Sequence, residues 1–349
     1  MAVKDNQKTS KINNKTSEND FIKRISSIRE IGIIASLIVF AIAITIRNPI
    51  FISPENLYDI SLDTAILAVV AVGQMIVILT RGIDISVGAG IGLSGMIVAL
   101  IIQDNWSIHP VVAIIMGMVA GMIMGALNGV LVVKGKIPPI IVTLGTMSVF
   151  RGLTFIINYG LNGGKWIGAD KYSEAFKAFS RGSFLKIPNF ILITIIVYAL
   201  FYYILNHTIT GREIYAVGSN PSSAKIIGIN VEKILFLSYL FTGLLVGLGG
   251  VMWVSRYASA QTDSAAGFEF TTITAVVLGG VAVAGGSGSI FGVLFGSILI
   301  GFINNALNIV RVSPFWKLAI NGSIILIAVI IDSLISRKIN NELAERRKI

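Results

Sequence analysis

An all-α membrane protein, a polytopic bundle of about ten transmembrane helices, is the fold class this sequence predicts, and three observations predict it. Charged residues make up 13% of the 349-residue chain and apolar residues 54%, with a mean hydropathy of +0.81. A soluble domain carries about 25% charged residues, so the bilayer is the natural solvent for this composition. Ten apolar runs recur along the chain, at 31–46, 60–79, 83–102, 111–133, 137–157, 190–205, 234–254, 271–284, 289–306 and 318–335. Basic residues bracket the whole set: Lys4, Lys8, Lys11, Lys15, Lys23, Arg24 and Arg29 precede it, and Arg337, Lys338, Arg346, Arg347 and Lys348 follow it. Basic tails beside apolar spans read as retention on the cytoplasmic side.

The runs then fall into place in order. A helix needs roughly 20 residues to cross the hydrocarbon core, and flanks such as Arg29 and Arg47 can snorkel to lengthen the shorter runs. The 271–284 run ends in Gly285-Gly286-Ser287-Gly288, which predicts a broken or re-entrant element buried in protein. Two cytoplasmic termini demand an even number of spans, and ten put Lys134–Lys136 and the 208–233 connection in the cytoplasm. The 158–186 connection disagrees, because it would be periplasmic yet carries Lys165, Lys171, Lys177, Arg181 and Lys186. The expected organisation is a disordered basic cytoplasmic extension at 1–30, a transmembrane domain at 31–335 and a basic cytoplasmic tail at 336–349.

Several functions are excluded by what is missing. The chain has no cysteine, which rules out disulfides, thiolate catalysis and cysteine metal sites, and its two histidines, His109 and His207, lie in separate loops. No folded domain remains to present the net charge of +10 to a nucleic acid. No G-x-x-x-x-G-K-S/T phosphate loop occurs, so the chain does not itself bind ATP through that motif. Asp63, Asp84, Glu269 and Asp332 are few and sit at span ends, whereas an ion-driven pump buries its carboxylates more deeply. The energy for any transport is therefore expected from outside the chain, and no cofactor is expected. The 36 glycines concentrate inside the spans, where they admit close helix packing or soften a gating helix.

Two polar segments stand out. The 208–233 connection is too polar to span and too patterned for a linker. Asn220-Pro221 with Ser222 and Ser223 signals a helix start, and a short amphipathic helix follows to Ile227, ended by Gly228. Such a helix is either a knob for a partner's groove or an interfacial helix lying on headgroups. The second segment is the hairpin carrying Gly82, Asp84, Ser86 and Gly88, in which Asp84 and Ser86 can cap the N–H groups of the next helix. Its place near the cytoplasmic edge favours that structural role over contact with a solute.

Four stretches, GIDISVGAGIGLSG, KIPPIIVTLGTMSVFRG, GREIYAVGSNPSSAKIIGINVEK and VLGGVAVAGGSGSIFGVLFG, together resemble the membrane permease family of bacterial ribose, xylose, arabinose, rhamnose and autoinducer-2 ABC importers. The resemblance covers 31–335 in the family's order and spacing. It implies a pore of two permease subunits, alike or different, a cytoplasmic ABC ATPase, and a periplasmic or lipid-anchored solute-binding protein. It implies further that the 208–233 connection docks on the ATPase, through Gly211, Arg212, Glu213, Tyr215, Ala216, Gly218, Asn220, Ala224, Gly228 and Ile229. The chain would then be a non-catalytic subunit, working by alternating access.

The solute expected is a monosaccharide or related furanose. The run GGKWIG resembles autoinducer-2 and rhamnose permeases more than ribose ones. Weakly polar and aromatic side chains suit a sugar pore, which makes Asn304, Asn305, Asn308, Trp253, Tyr257 and Gln261 candidates, with helix packing as the competing role for each. The related branched-chain amino-acid permeases are the nearest rival reading. An ion-coupled secondary transporter and a membrane-embedded enzyme are disfavoured by the scarcity of mid-span acid–base groups.

Overall fold

The structure is a computed structural model that describes residues 32–103 and 108–313, with 316, 319–320, 322–327 and 330 beyond them. In chain order its helices are α1 (Gly32–Arg47), α2 (Pro54–Leu79), α3 (Val87–Ile102), α4 (Pro110–Val133), α5 (Pro139–Asn162), α6 (Glu174–Arg181), α7 (Asn189–His207), α8 (Ile209–Ser219), α9 (Pro221–Ile226), α10 (Val231–Tyr257), α11 (Phe268–Leu278) and α12 (Ile290–Ile309). Among the described residues, α2, α4, α5, α7, α10 and α12 are long and apolar enough to cross a membrane unaided, while α1, α3 and α11 are shorter apolar helices. The 1–30 extension and the 336–349 tail lie outside the described residues, and the run at 318–335 is described only in part.

Local chemistry sets the boundaries. α2, α4, α5 and α9 each begin with proline, whose missing N–H costs nothing in a first turn. Ser53 and Asn230 cap α2 and α10 by accepting from Asn56 N and Lys233 N. Gly163, in the left-handed region at φ 64°, ends α5.

α2 is the axle of the bundle, with 94% of its most apolar stretch buried, and α10 lies across it. Their crossing is fixed where Thr242 Oγ1 donates to Gly73 O at 2.8 Å. α10 also packs backbone to backbone on α4: a methyl at Gly121 would run into Gly243 O, and one at Gly247 into Gly117 O. This is the close approach that small residues permit between membrane helices. α12 joins α2 through a reciprocal amide pair, Asn305 Nδ2 to Asn56 Oδ1 at 2.9 Å and Asn56 Nδ2 to Asn305 Oδ1 at 3.0 Å. α4, α5 and α7 leave most of their apolar surface facing outward.

At one end of the bundle α6 is sewn to α10, with Ser180 Oγ donating to Ser255 O and Ser255 Oγ donating to Phe176 O. A two-stranded hairpin, β1 (Ser183–Phe184) and β2 (Ile187–Pro188), follows α6. Arg256 ties the same end of α10 to α2 through Asp59 and Asp63, at 2.9 and 2.8 Å. The opposite end carries α8 and α9.

Two expected spans are shorter than the sequence suggested. The 83–102 run is helical only from Val87, because Ile83 and Asp84 are tied into the hairpin by hydrogen bonds to Thr143 and Ser86. The 271–284 run yields the 11-residue α11 and then a loop. Gly280, Gly285 and Gly286 take φ values of 84°, 84° and 76°, which no helix continues through.

Candidate functional site

Three elements converge at the α8 end. The last carbonyls of a helix lack intrahelical partners, and those of α8 are supplied by a cation from another segment. Arg81 Nε donates to Gly218 O at 2.6 Å and Arg81 Nη2 donates to Ser219 O. Arg81 itself sits at φ 67°, just past the end of α2, a strained position that aims the guanidinium sideways. The loop after α11 completes the clamp, with Gly286 N donating to Leu79 O at 2.9 Å and Tyr215 Oη donating to Gly288 O at 3.0 Å. Burial pushes the Tyr215 phenol up to about 12, so it remains a donor at physiological pH. The fit is close: a methyl on Gly218 would collide with Leu79 O. α8, the α2–α3 hairpin and the loop after α11 therefore form one hydrogen-bonded block.

The hairpin has its own polar core. Asp84 Oδ1 accepts from Ser86 N at 2.8 Å and Ser86 Oγ at 2.6 Å, and Asn128 Nδ2 donates to Ser86 Oγ at 2.9 Å. The Gln74 amide pairs with the Asp84 backbone, and Thr143 Oγ1 donates to Ile83 O at 3.1 Å. The expected capping of α3 by Asp84 and Ser86 is corrected here. Ser86 already has helical angles, φ −76° and ψ −7°, and makes no side-chain bond to the helix. A capping side chain needs an extended residue to reach back, so Ser86 holds the hairpin instead, while Asp84 accepts the Ser86 N–H at the entry to α3.

Midway along the bundle lies a second polar group. Arg151 Nη1 on α5 donates to Thr262 O at 3.1 Å and Ser264 O at 2.7 Å, pinning the irregular segment between α10 and α11. Glu269, in the first turn of α11, is buried at 7% exposure, and its Oε2 has no hydrogen-bond partner among the described residues. Sequence reasoning missed the pair, because Arg151 and Glu269 are 118 residues apart; the available signal was a lone arginine inside the 137–157 run.

A family model described as the branched-chain amino acid transport system / permease component matches residues 56–329. The chain belongs to that family. The permease is 40% identical to the ribose import permease protein RbsC of Bacillus subtilis, over 87% of this chain and 92% of that one. It is 39% identical to the RbsC of Escherichia coli, over 86% and 92%, and 34% identical to that organism's D-allose transport system permease protein AlsC, over 86% and 90%. No solved structure matches the permease.

The ten coupling candidates divide by the direction they face. In this permease Gly211, Gly218 and Ala224 are buried against their own chain, and Glu213, Tyr215, Ala216 and Ile229 are half-buried. Arg212, Asn220 and Gly228 face outward. The most exposed apolar side chains nearby are Ile226 and Ile227, at 86% and 73%, and the motif did not single them out. Their signal was available: two isoleucines beside a helix end in an otherwise polar stretch. Of the pore candidates, Asn305 is engaged with Asn56, Trp253 packs on Tyr257 and Phe268, and Tyr257 Oη donates to Asp63 Oδ1 at 3.4 Å. Gln261 N donates to Ser264 Oγ in the loop after α10, Asn304 is half-buried and Asn308 is exposed on α12. Among the described residues no cluster of acidic or histidine side chains is arranged to hold a metal.

Proposed function

We propose that this chain is a permease subunit of an ATP-driven importer for a monosaccharide of the ribose type, paired with a second permease subunit. In this reading residues 31–335 form a ten-span translocation unit with both termini cytoplasmic, and 208–233 is its coupling segment. A partner ABC ATPase hydrolyses the ATP, and a periplasmic or lipid-anchored binding protein delivers the solute. The observation that carries the reading is the α8–α9 element: its outer side shows Ile226 and Ile227, while its inner side is clamped to two membrane segments by Arg81 and Tyr215. A partner that grips the outer side moves α8. Through the clamp it moves the α2–α3 hairpin and the loop after α11 as well, which biases two states of the pore. The relatives named above favour a sugar over a branched-chain amino acid, although the family as a whole carries the amino-acid name.

The test is reconstitution of the chain with its ATPase and binding protein in proteoliposomes, followed by uptake of labelled D-ribose, D-allose and L-leucine. ATP-dependent uptake of a sugar supports the reading. ATP-dependent uptake of leucine alone overturns the solute assignment while leaving the coupling assignment standing. In the same system Arg81→Met is expected to cut uptake roughly tenfold while the ATPase still copurifies, since two charge-assisted hydrogen bonds are lost from the clamp.

A further inference from the structure

α2, α7 and α12 enclose a groove of about 620 Å³ that the transport reading leaves unused. Its walls run from Leu57 to Ala68 on α2, from Ile191 to Tyr202 on α7 and from Phe291 to Phe302 on α12. Each wall is about 17 Å long at 1.5 Å per residue, close to half of the roughly 30 Å hydrocarbon core. α12 runs opposite to the other two helices, so Phe302 stands level with Leu57 and Ile191 towards the α6 end. The far end is closed by the Tyr202 and Phe291 rings, whose centroids are 5.3 Å apart. Along its side the groove opens outward past the exposed Ile195.

The walls select what can lie between them. Ser61 Oγ donates to Tyr58 O at 2.7 Å, Thr194 Oγ1 to Phe190 O at 2.9 Å and Tyr198 Oη to Ala68 O at 3.3 Å. Thr64 Oγ1 is turned against Gly301. With these hydroxyls spent on the protein itself, a sugar would give up its hydration for little return. A helix is too wide: the mean section of the groove is about 37 Å², less than half of the ~80 Å² that a cylinder 10 Å across requires. An empty groove would forfeit the dispersion contacts of its whole lining. A single hydrocarbon chain suits the width, the depth and the surface.

The open end is basic. Tyr58 Oη donates to Arg181 O at 3.2 Å, which sets the end of α6 beside the mouth, and β2 leads directly into α7. Arg181 and Lys186 are both exposed there. Asp59 is paired with Arg256, which leaves Glu55 in the first turn of α2 against two cations. We propose that the groove holds one acyl chain of an anionic phospholipid from the leaflet on the α6 side, with its phosphate over Arg181 and Lys186. The site is independent of the solute. Within the bilayer a chain gains nothing by leaving water, so packing and the charge of the headgroup set the occupancy.

The experiment is photolabelling of the full chain in phosphatidylcholine nanodiscs. The probe, at low mole fraction, is phosphatidylglycerol with a diazirine at the end of one acyl chain, and adducts are located by peptide mass spectrometry. Adducts are expected at the closed end, on Tyr202 and Phe291. Ala199→Phe, which fills the groove from an exposed position, is expected to cut them at least fivefold. Val119→Phe, on the outward face of α4, should leave them unchanged. Arg181→Gln and Lys186→Gln are each expected to lower labelling roughly fivefold, the effect of one basic residue at an anionic headgroup. Equal labelling by a phosphatidylcholine probe, or adducts spread evenly over the outward faces of α4, α5 and α7, means boundary lipid only and overturns the site. Absence of adducts at the closed end, or adducts undiminished in Ala199→Phe, overturns it as well. Since the chain has no cysteine, engineered pairs then report what covers the groove. A disulfide between Ile195→Cys and Leu326→Cys within one chain replaces the lipid by the 318–335 run, and one between two Ile195→Cys chains replaces it by a second copy.

Discussion

Single residues decide how closely the backbones of this permease meet. Gly218 touches Leu79 O with no room for a methyl, whereas Gly145 on the outward face of α5 has nothing within 4 Å of such a group. Gly218→Ala is therefore expected to lower the melting temperature in detergent. Gly145→Ala should leave it unchanged or raise it slightly, since alanine is favoured over glycine in a helix by up to about 1 kcal/mol. A shared fall in both variants would mean that glycine content alone, and not the contact, sets the stability. Tyr215 gives a second expectation. Its phenol is raised from 10.0 to about 12, so the stabilisation belongs to the protonated form, is complete below pH 10 and fades as pH rises through 12. Tyr215→Phe should cost about 1 kcal/mol at pH 7, and the difference from wild type should vanish only at strongly alkaline pH.

Elements carry the partner chemistry. α9 is a six-residue helix that packs only Ala224 into its own chain and leaves Ile226 and Ile227 in the open. The double substitution Ile226→Asp, Ile227→Asp is expected to abolish copurification of the ATPase without altering the melting temperature of the permease. Retained copurification would place the contact elsewhere on 208–233. Much of this was legible in the sequence: the Asn220-Pro221 start of α9, the glycine break after α11 and the glycine-lined spans follow from turn chemistry and backbone sterics. The clamp was not legible. Arg81 reaches Gly218 across 137 residues, and no local pattern encodes a guanidinium meeting the end of a distant helix. The hairpin serine reads as a helix cap for the same reason, since Asn128, which donates to it, lies in another span.

At the scale of the molecule, the described helices form a bundle in which α2 and α10 are interior and α4, α5 and α7 face outward. If both termini are cytoplasmic, a reporter fused after Ile349 should behave as cytoplasmic and one inserted in the 163–168 loop as periplasmic. A periplasmic signal at Ile349 would require an odd number of spans. α11 has a consequence for how the chain is made. Eleven residues flanked by irregular backbone on both sides cannot leave the translocon alone, because lipid offers no partners for the free N–H and C=O groups of 258–267 and 279–289. Those groups find theirs on residues far away, among them Arg151, Leu79 and Tyr215. The segment must therefore wait, sheltered beside the insertion machinery, until α12 has been synthesised and the earlier helices have closed around it. Biogenesis of this chain ends with the same half-helix that its proposed transport cycle moves.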